Sequence, residues 1–137
     1  MIKEIYTTRA TAKGGREGQV KSENGELDVD VRGPSSKGNY LNPEILFAGG
    51  YAACFDNAII GVLHLKKIKE ATHETTVKVT LGEIKKQQYG FEIEITVAFG
   101  NLDLKLAKEV INLAHEMCPY SNATRGNVKV NLEVKKL

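Results

Sequence analysis

The sequence predicts an α+β fold of order βββ-α-ββ-α-β, with two helices packed against antiparallel sheet. Three observations carry that prediction. Period-two alternation of apolar and polar residues recurs at 27–32, 75–84, 89–99 and 128–134. A long apolar run, 45–65, begins just after Asn42-Pro43. An amphipathic stretch, 103–117, stops at a proline.

Residues 5–12 alternate around Ile5, Thr7, Arg9 and Thr11 and are expected to form the first strand. The run Gly14-Gly15-Arg16-Glu17-Gly18 is a turn, followed by a short strand at 19–22. Asn24-Gly25 signals a type I′ hairpin into the third strand, where Leu27, Val29 and Val31 alternate with Asp28, Asp30 and Arg32. A polar loop spans 33–41. Asn42 then caps a helix whose first position is Pro43, a pairing that suits a helix start because proline has no N–H to leave unpaired there. Apolar residues surround that helix nearly all round, which predicts a buried central helix. The strands at 75–84 and 89–99 form a hairpin through Gln87-Gln88-Tyr89-Gly90. The first is expected to bury Val77, Val79 and Leu81, and the second Phe91, Ile93, Ile95, Val97 and Phe99. Leu106, Val110, Leu113, Ala114 and Met117 mark the buried stripe of the second helix. Pro119 ends it, since proline cannot donate to the ladder and pushes Cys118 out of the helical region. Val128, Val130, Leu132 and Val134 make the last strand.

Composition narrows the function. With 137 residues, 42% of them hydrophobic, residues 1–137 fit one domain that buries about 70% of its unfolded surface. A net charge of +2 with dispersed lysines argues against nucleic acid; Lys66, Lys67 and Lys69 sit at a helix end, where they complement the dipole. The N-terminus lacks the apolar core of a signal peptide. Asp56, Asn57 and His64 interrupt the apolar run, so a core helix is expected rather than a membrane span. These features imply a cytoplasmic protein. In a reducing compartment its two cysteines are catalytic, metal-binding or inert rather than a structural bridge.

Cys54 lies in the apolar helix, and Cys118 lies where a helix stops. That asymmetry suits a redox pair, in which one sulfur attacks and the other swings in to resolve. Burial beside Phe47, Tyr51 and Phe55 would raise the Cys54 pKa, so a reactive thiolate needs a fixed positive charge. Arg16, in its glycine-rich turn, is the candidate, and Glu44 at the helix start could hold the guanidinium. Each residue also has a plainer use. A buried cysteine packs as a small hydrophobe, an arginine in a turn is usually solvated, and a first-turn glutamate complements the dipole. Two further classes stay open at this point. His115, Cys118 and Cys54 could bind metal, although four ligands are the norm for structural zinc. A non-enzymatic redox sensor could use the same cysteines.

Taken together, the segments Gly14-Gly15-Arg16, Asn42-Pro43-Glu44 with Leu46-Phe47-Ala48, Gly50-Tyr51-Ala52-Ala53-Cys54-Phe55, and His115 through Cys118-Pro119-Tyr120-Ser121-Asn122-Ala123-Thr124-Arg125-Gly126-Asn127 resemble the organic hydroperoxide resistance proteins. These form a branch of the osmotically inducible protein C superfamily. The resemblance covers essentially the whole chain, and its most specific part is the run that starts at Cys118. It implies an intertwined homodimer with two active sites at the subunit interface. It implies Cys54 as the peroxidatic thiol and Cys118 as the resolving thiol, with Arg16 activating Cys54 and Glu44 orienting Arg16. It further implies organic and fatty-acid hydroperoxides as substrates, no bound cofactor, and a dihydrolipoyl group of a lipoylated enzyme as reductant. Phe47, Tyr51, Phe55 and Tyr120 are candidate walls of an apolar substrate pocket. The loop before Asn42 is shorter than the family's usual Gly/Ala-rich one, and this loop is expected to shape the pocket mouth. Gly49-Gly50 inside a helix costs about 1 kcal/mol per glycine against alanine, which suggests close approach of another backbone or of substrate.

Overall fold

In a computed structural model the chain is described over residues 1–38 and 40–137; Asn39, in the expected polar loop, lies outside the described residues. The chain forms two compact units, Met1–Leu46 and Phe47–Leu137.

The first unit is a three-stranded antiparallel sheet in the order β1 (Ala10–Lys13), β2 (Gln19–Ser22), β3 (Asp28–Asp30). Only the end of the expected first strand pairs, because β2 has four residues; just beyond it the Glu23 N–H donates to the Arg9 carbonyl at 2.9 Å, and the assigned ladder starts at Ala10. Between β1 and β2 a single 3₁₀ turn, Gly15–Glu17, carries Arg16. The turn depends on glycine: Gly14 has φ +88°, and a Cβ on Gly18 would stand 2.7 Å from the Gly14 Cα. The β2–β3 connection departs from type I′. Only Gly25 has positive φ, and its N–H donates to the Ser22 carbonyl at 3.0 Å, whereas type I′ needs positive φ at Asn24 as well.

Helix α1 (Pro43–Leu65) starts as expected, with the Asn42 side chain accepting from the Ile45 N–H at 2.8 Å. It ends in a Schellman motif. Lys67 is left-handed at φ 57°, the Ile68 N–H reaches the Leu63 carbonyl and the Lys67 N–H reaches that of His64. The helix is long and apolar enough by composition to cross a membrane, yet Tyr51, Phe55, Ala58, Ile59, Val62 and Leu63 are buried in the core. It is not buried all round: Ile45 is 47% and Ile60 52% exposed.

The second unit holds the hairpin β4 (Thr72–Lys85) and β5 (Gln88–Gly100), then α2 (Leu104–Met117), α3 (Pro119–Thr124) and β6 (Lys129–Lys136). The turn falls at Lys86–Gln87, one residue earlier than expected. Strands β4 and β5 are antiparallel, but β6 lies parallel to β5, so this sheet is mixed rather than wholly antiparallel. The cause is the connection: α2 and α3 intervene between β5 and β6, and a helical crossover returns the chain in its original direction. Ile93, Ile95, Val97 and Phe99 of β5 face a core shared with α1 and with Ala107, Val110, Ile111 and Ala114 of α2. Val77 is buried and Val79 half-buried, but Leu81, further along β4, is exposed. Asp103 caps α2 by accepting from the Leu106 N–H at 2.9 Å. Pro119 ends α2 and occupies the first position of α3, a short helix the sequence prediction omits.

Candidate active site

The structure joins the four expected reactive residues into two pairs, each inside one compact unit. In the first unit the Arg16 guanidinium donates through both Nη atoms to the two carboxylate oxygens of Glu44, Nη1 to Oε2 at 2.7 Å. This forked geometry is available to arginine and not to lysine. The Arg16 side chain is 41% exposed and that of Glu44 12%. Hydrogen bonding to Arg16 holds the Glu44 carboxyl below its ordinary pKa despite partial burial, and the same bond raises that of Arg16. Both groups are therefore charged at neutral pH.

In the second unit Cys118 and Cys54 are free thiols whose sulfurs lie 3.5 Å apart, with Cys118 donating to Cys54. Their burial reverses the sequence expectation. Cys118 is 0% exposed, while Cys54 is only half-buried. The reason is α3: its first turn folds Cys118 under the end of α2, a placement invisible when the chain is thought to leave the helix at Pro119. Burial pushes the Cys54 thiol above its ordinary pKa, and the neighbouring Cys118 sulfur adds to this by disfavouring a second negative charge; the Tyr120 backbone N–H works the other way. Within its own unit, Cys54 is disposed to stay protonated.

The motif that follows Cys118 has a local physical purpose. The Arg125 Nη2 donates to the His115 carbonyl at 2.6 Å, and the Asn122 amide to the Glu116 carbonyl at 3.0 Å. Side chains of α3 and its exit thus satisfy carbonyls that the end of α2 would leave open. His115 turns its Nδ1 to Ser121 Oγ at 2.8 Å, and burial and Arg125 lower its pKa. Among the described residues no group of three or more His, Cys, Asp or Glu side chains is arranged to hold a metal ion.

Two concavities flank the Pro119-Tyr120 segment. One, of about 260 Å³, is lined by Cys54, Asn57, Ala58, Gly61, Met117 and Pro119. The other, of about 480 Å³, is an apolar groove bounded by Phe47, Phe91, Pro119, Tyr120, Ala123 and Val128. Phe47 and Tyr120, two of the candidate walls, line this groove. Tyr51 and Phe55 do not: both are 0% exposed, line neither concavity and pack as core. The Tyr51 hydroxyl explains its depth, because it is satisfied inside by Ser121 Oγ at 2.8 Å. Gly50 makes room for Tyr120, whose ring Cζ would stand 3.0 Å from a Cβ there, with the hydroxyl closer still. Gly49 has no such neighbour. Sequence reasoning missed Phe91 as a wall and Ser121 as a partner of His115. The spacing of His115 and Ser121, three residues either side of Cys118, was the available signal for the second.

Residues 36–133 match the profile of the OsmC-like proteins. The organic hydroperoxide resistance protein OhrB of Bacillus subtilis is 43% identical over 136 residues, covering 96% of this chain and 98% of that one. The crystal structure of an organic hydroperoxide resistance protein from Elizabethkingia anophelis superposes with a TM-score of 0.94 at 44% identity, covering 99% and 100% of the two chains. One from Vibrio cholerae, with captopril bound in one of its active sites, gives 0.92 at 36% identity, covering 99% and 96%.

Proposed function

From the premise that this chain belongs to the organic hydroperoxide resistance branch of the OsmC-like proteins and is a peroxidase of that branch, we propose that it reduces organic hydroperoxides, alkyl and fatty-acid-derived, to alcohols through Cys54. The observation that carries the proposal is the sulfur pair: a half-exposed thiol facing a hollow, with a second, buried thiol 3.5 Å behind it.

In the proposed cycle the Cys54 thiolate attacks the distal peroxide oxygen. The O–O bond breaks, the alkoxide leaves as an alcohol and Cys54 becomes a sulfenic acid. Cys118 condenses with it, releasing water and forming a Cys54–Cys118 disulfide. A dihydrolipoyl dithiol, free or on a lipoylated protein, reopens the disulfide by thiol–disulfide exchange. The cycle needs no bound cofactor. The apolar groove supports the choice of substrate, since each methylene buried there favours binding by about 0.8 kcal/mol, which hydrogen peroxide cannot gain.

Thiolate formation needs a cation, because burial opposes it. The Arg16–Glu44 pair is the proposed source, with Glu44 orienting Arg16 and Arg16 activating Cys54. Ten residues of unbroken α1 separate Glu44 from Cys54, which sets them ~15 Å apart along the axis. Two antiparallel copies of α1 would bring Glu44 of one chain beside Cys54 of the other, so the working unit is proposed to be an intertwined homodimer. The exposed Ile45 and Ile60 on α1 support a second copy. The cytoplasm, where thiols stay reduced, is the proposed location.

The test is turnover of an alkyl hydroperoxide with dihydrolipoamide, set against hydrogen peroxide and against thioredoxin or glutathione as donor. The expected result is preference for the alkyl substrate and the dithiol donor. Preference for hydrogen peroxide would overturn the substrate assignment. A monomer with full activity would overturn the shared site. A redox sensor, the other use for such a pair, would stop after one oxidation even with dithiol in excess.

A further inference from the structure

Behind the sulfur pair runs a chain of polar side chains that the proposed cycle leaves unused. His115 Nδ1 is 2.8 Å from Ser121 Oγ, and Ser121 Oγ is 2.8 Å from the Tyr51 hydroxyl. That hydroxyl is 3.3 Å from Thr124 Oγ1, which donates to the Ser121 carbonyl at 3.1 Å. Ser121 and Tyr51 are wholly buried. Burying hydroxyls is costly unless every one is bonded, and among the described residues no buried side-chain nitrogen or oxygen lacks a partner. The chain ties together α2, α3 and α1, and Cys118, at the junction of α2 and α3, lies midway between His115 and Ser121 in sequence.

We propose that Ser121, bridging His115 and Tyr51, is a positioning residue for disulfide formation, holding the α2–α3 turn so that Cys118 Sγ stays opposite Cys54 Sγ. The proposal rests on the peroxidase cycle described above. In the step concerned, the Cys118 sulfur attacks the sulfenic sulfur of Cys54. The S–S bond forms and the S–O bond breaks. Hydroxide leaves and takes the Cys118 proton as water, while the electron pair comes from the Cys118 sulfur. The two sulfurs start 3.5 Å apart and need to reach about 2.0 Å, a short approach if the turn is held. Misplacement of reacting atoms by about 1 Å costs on the order of a hundredfold in rate. The Ser121 hydroxyl bonds His115 and Tyr51 and neither sulfur; it acts through the turn that carries Cys118.

The direction of the chain fits this role. His115, its pKa lowered by burial and by Arg125, is neutral at neutral pH and can accept the Ser121 proton at Nδ1. Ser121 Oγ is then free to accept from Tyr51, and no hydroxyl in the chain goes without a partner.

The experiment treats fully reduced protein with one equivalent of an alkyl hydroperoxide and follows two products by quenched mass spectrometry: the Cys54–Cys118 disulfide and the dimedone adduct of Cys54 sulfenic acid. Wild type should give disulfide with little adduct. Ser121→Ala should form disulfide about tenfold more slowly or worse, the scale of losing a buried hydrogen bond, and should accumulate adduct. Lost stability alone would not do this, because molecules that remain folded would still close the disulfide at the wild-type rate. Should Ser121→Ala fail to fold, Tyr51→Phe removes the next hydroxyl of the chain while keeping the ring, and the same two products are read. Wild-type disulfide rates without adduct in the folded variant would overturn the positioning role. Wild-type protein that consumes no hydroperoxide would overturn the cycle itself, a separate and distinguishable result.

Discussion

The thiol of Cys118 points at the sulfur of Cys54 across 3.5 Å, and it does so from complete burial, while Cys54 is the sulfur that a hollow reaches. Reactivity should follow that order. Iodoacetamide is expected to label Cys54 at least about tenfold faster than Cys118 in the native, reduced protein, since alkylation needs access as well as thiolate. Peptide mass spectrometry over a time course measures it. Faster labelling of Cys118 would mean that the α2–α3 turn opens in solution.

Arg16 should govern the pH at which Cys54 reacts. Burial sets the Cys54 thiol above its ordinary pKa, and thiolate appears only as pH rises through that value. If Arg16 activates Cys54 as proposed, its guanidinium lowers that value, and Arg16→Ala is expected to move the midpoint of the alkylation–pH profile upward. Identical midpoints in the two proteins would remove Arg16 from the activation of Cys54.

Glu44→Gln separates orientation from stability. The pair contains a side chain that is 41% exposed, so its stabilising effect is discounted to about 1 kcal/mol or less. The folded pKa of Glu44 lies below its ordinary value of 4.5. The stabilisation is therefore complete above that ordinary value and is lost as pH falls through the depressed one. Urea unfolding should show a small wild-type advantage at pH 7 that shrinks toward pH 3. Hydroperoxide turnover should fall by about tenfold or more, a loss out of proportion to stability and in keeping with a lost charge-assisted bond. A wild-type advantage that grows on acidification would contradict the assigned charge state.

Gly50→Ala sets two effects against each other. Alanine gains up to about 1 kcal/mol of helix propensity. Its Cβ would press on the Tyr120 ring, at 3.0 Å from Cζ and less from the hydroxyl, and overpacking costs roughly 1–3 kcal/mol. The variant is expected to be less stable in urea and to bind long-chain hydroperoxides less well, since Tyr120 also walls the apolar groove. Net stabilisation would show that the ring swings aside freely.

Local chemistry made most of the fold legible. The Asn42 cap, the Asp103 start, the Pro119 stop and the alternation of β5 all depend on neighbours in sequence, and each stands where the pattern put it. What escaped depends on distant partners. Residues 5–8 have strand composition but pair with no strand among the described residues, and β6 has the same alternation whether it runs parallel or antiparallel to β5. The helical connection before β6 was the usable clue to its direction. At the site, the reactive residue types could be named from motifs. Their depth could not, because the core places of Cys118, Tyr51 and Phe55 are set by how α2 and α3 pack on α1: Tyr51 bonds Ser121 and Thr124 of α3, and Phe55 lies against His115 of α2. Six residues that open on a proline carry too little periodicity to announce a helix.

The most direct measurement of the central claim is the fate of each sulfur after one equivalent of alkyl hydroperoxide, read by intact and peptide mass spectrometry in wild type, Cys118→Ser and Cys54→Ser. We expect a Cys54–Cys118 disulfide in wild type, a trappable sulfenic acid at Cys54 in Cys118→Ser, and no hydroperoxide consumed by Cys54→Ser. Consumption by Cys54→Ser at the wild-type rate would contradict the assignment of Cys54 as the attacking thiol.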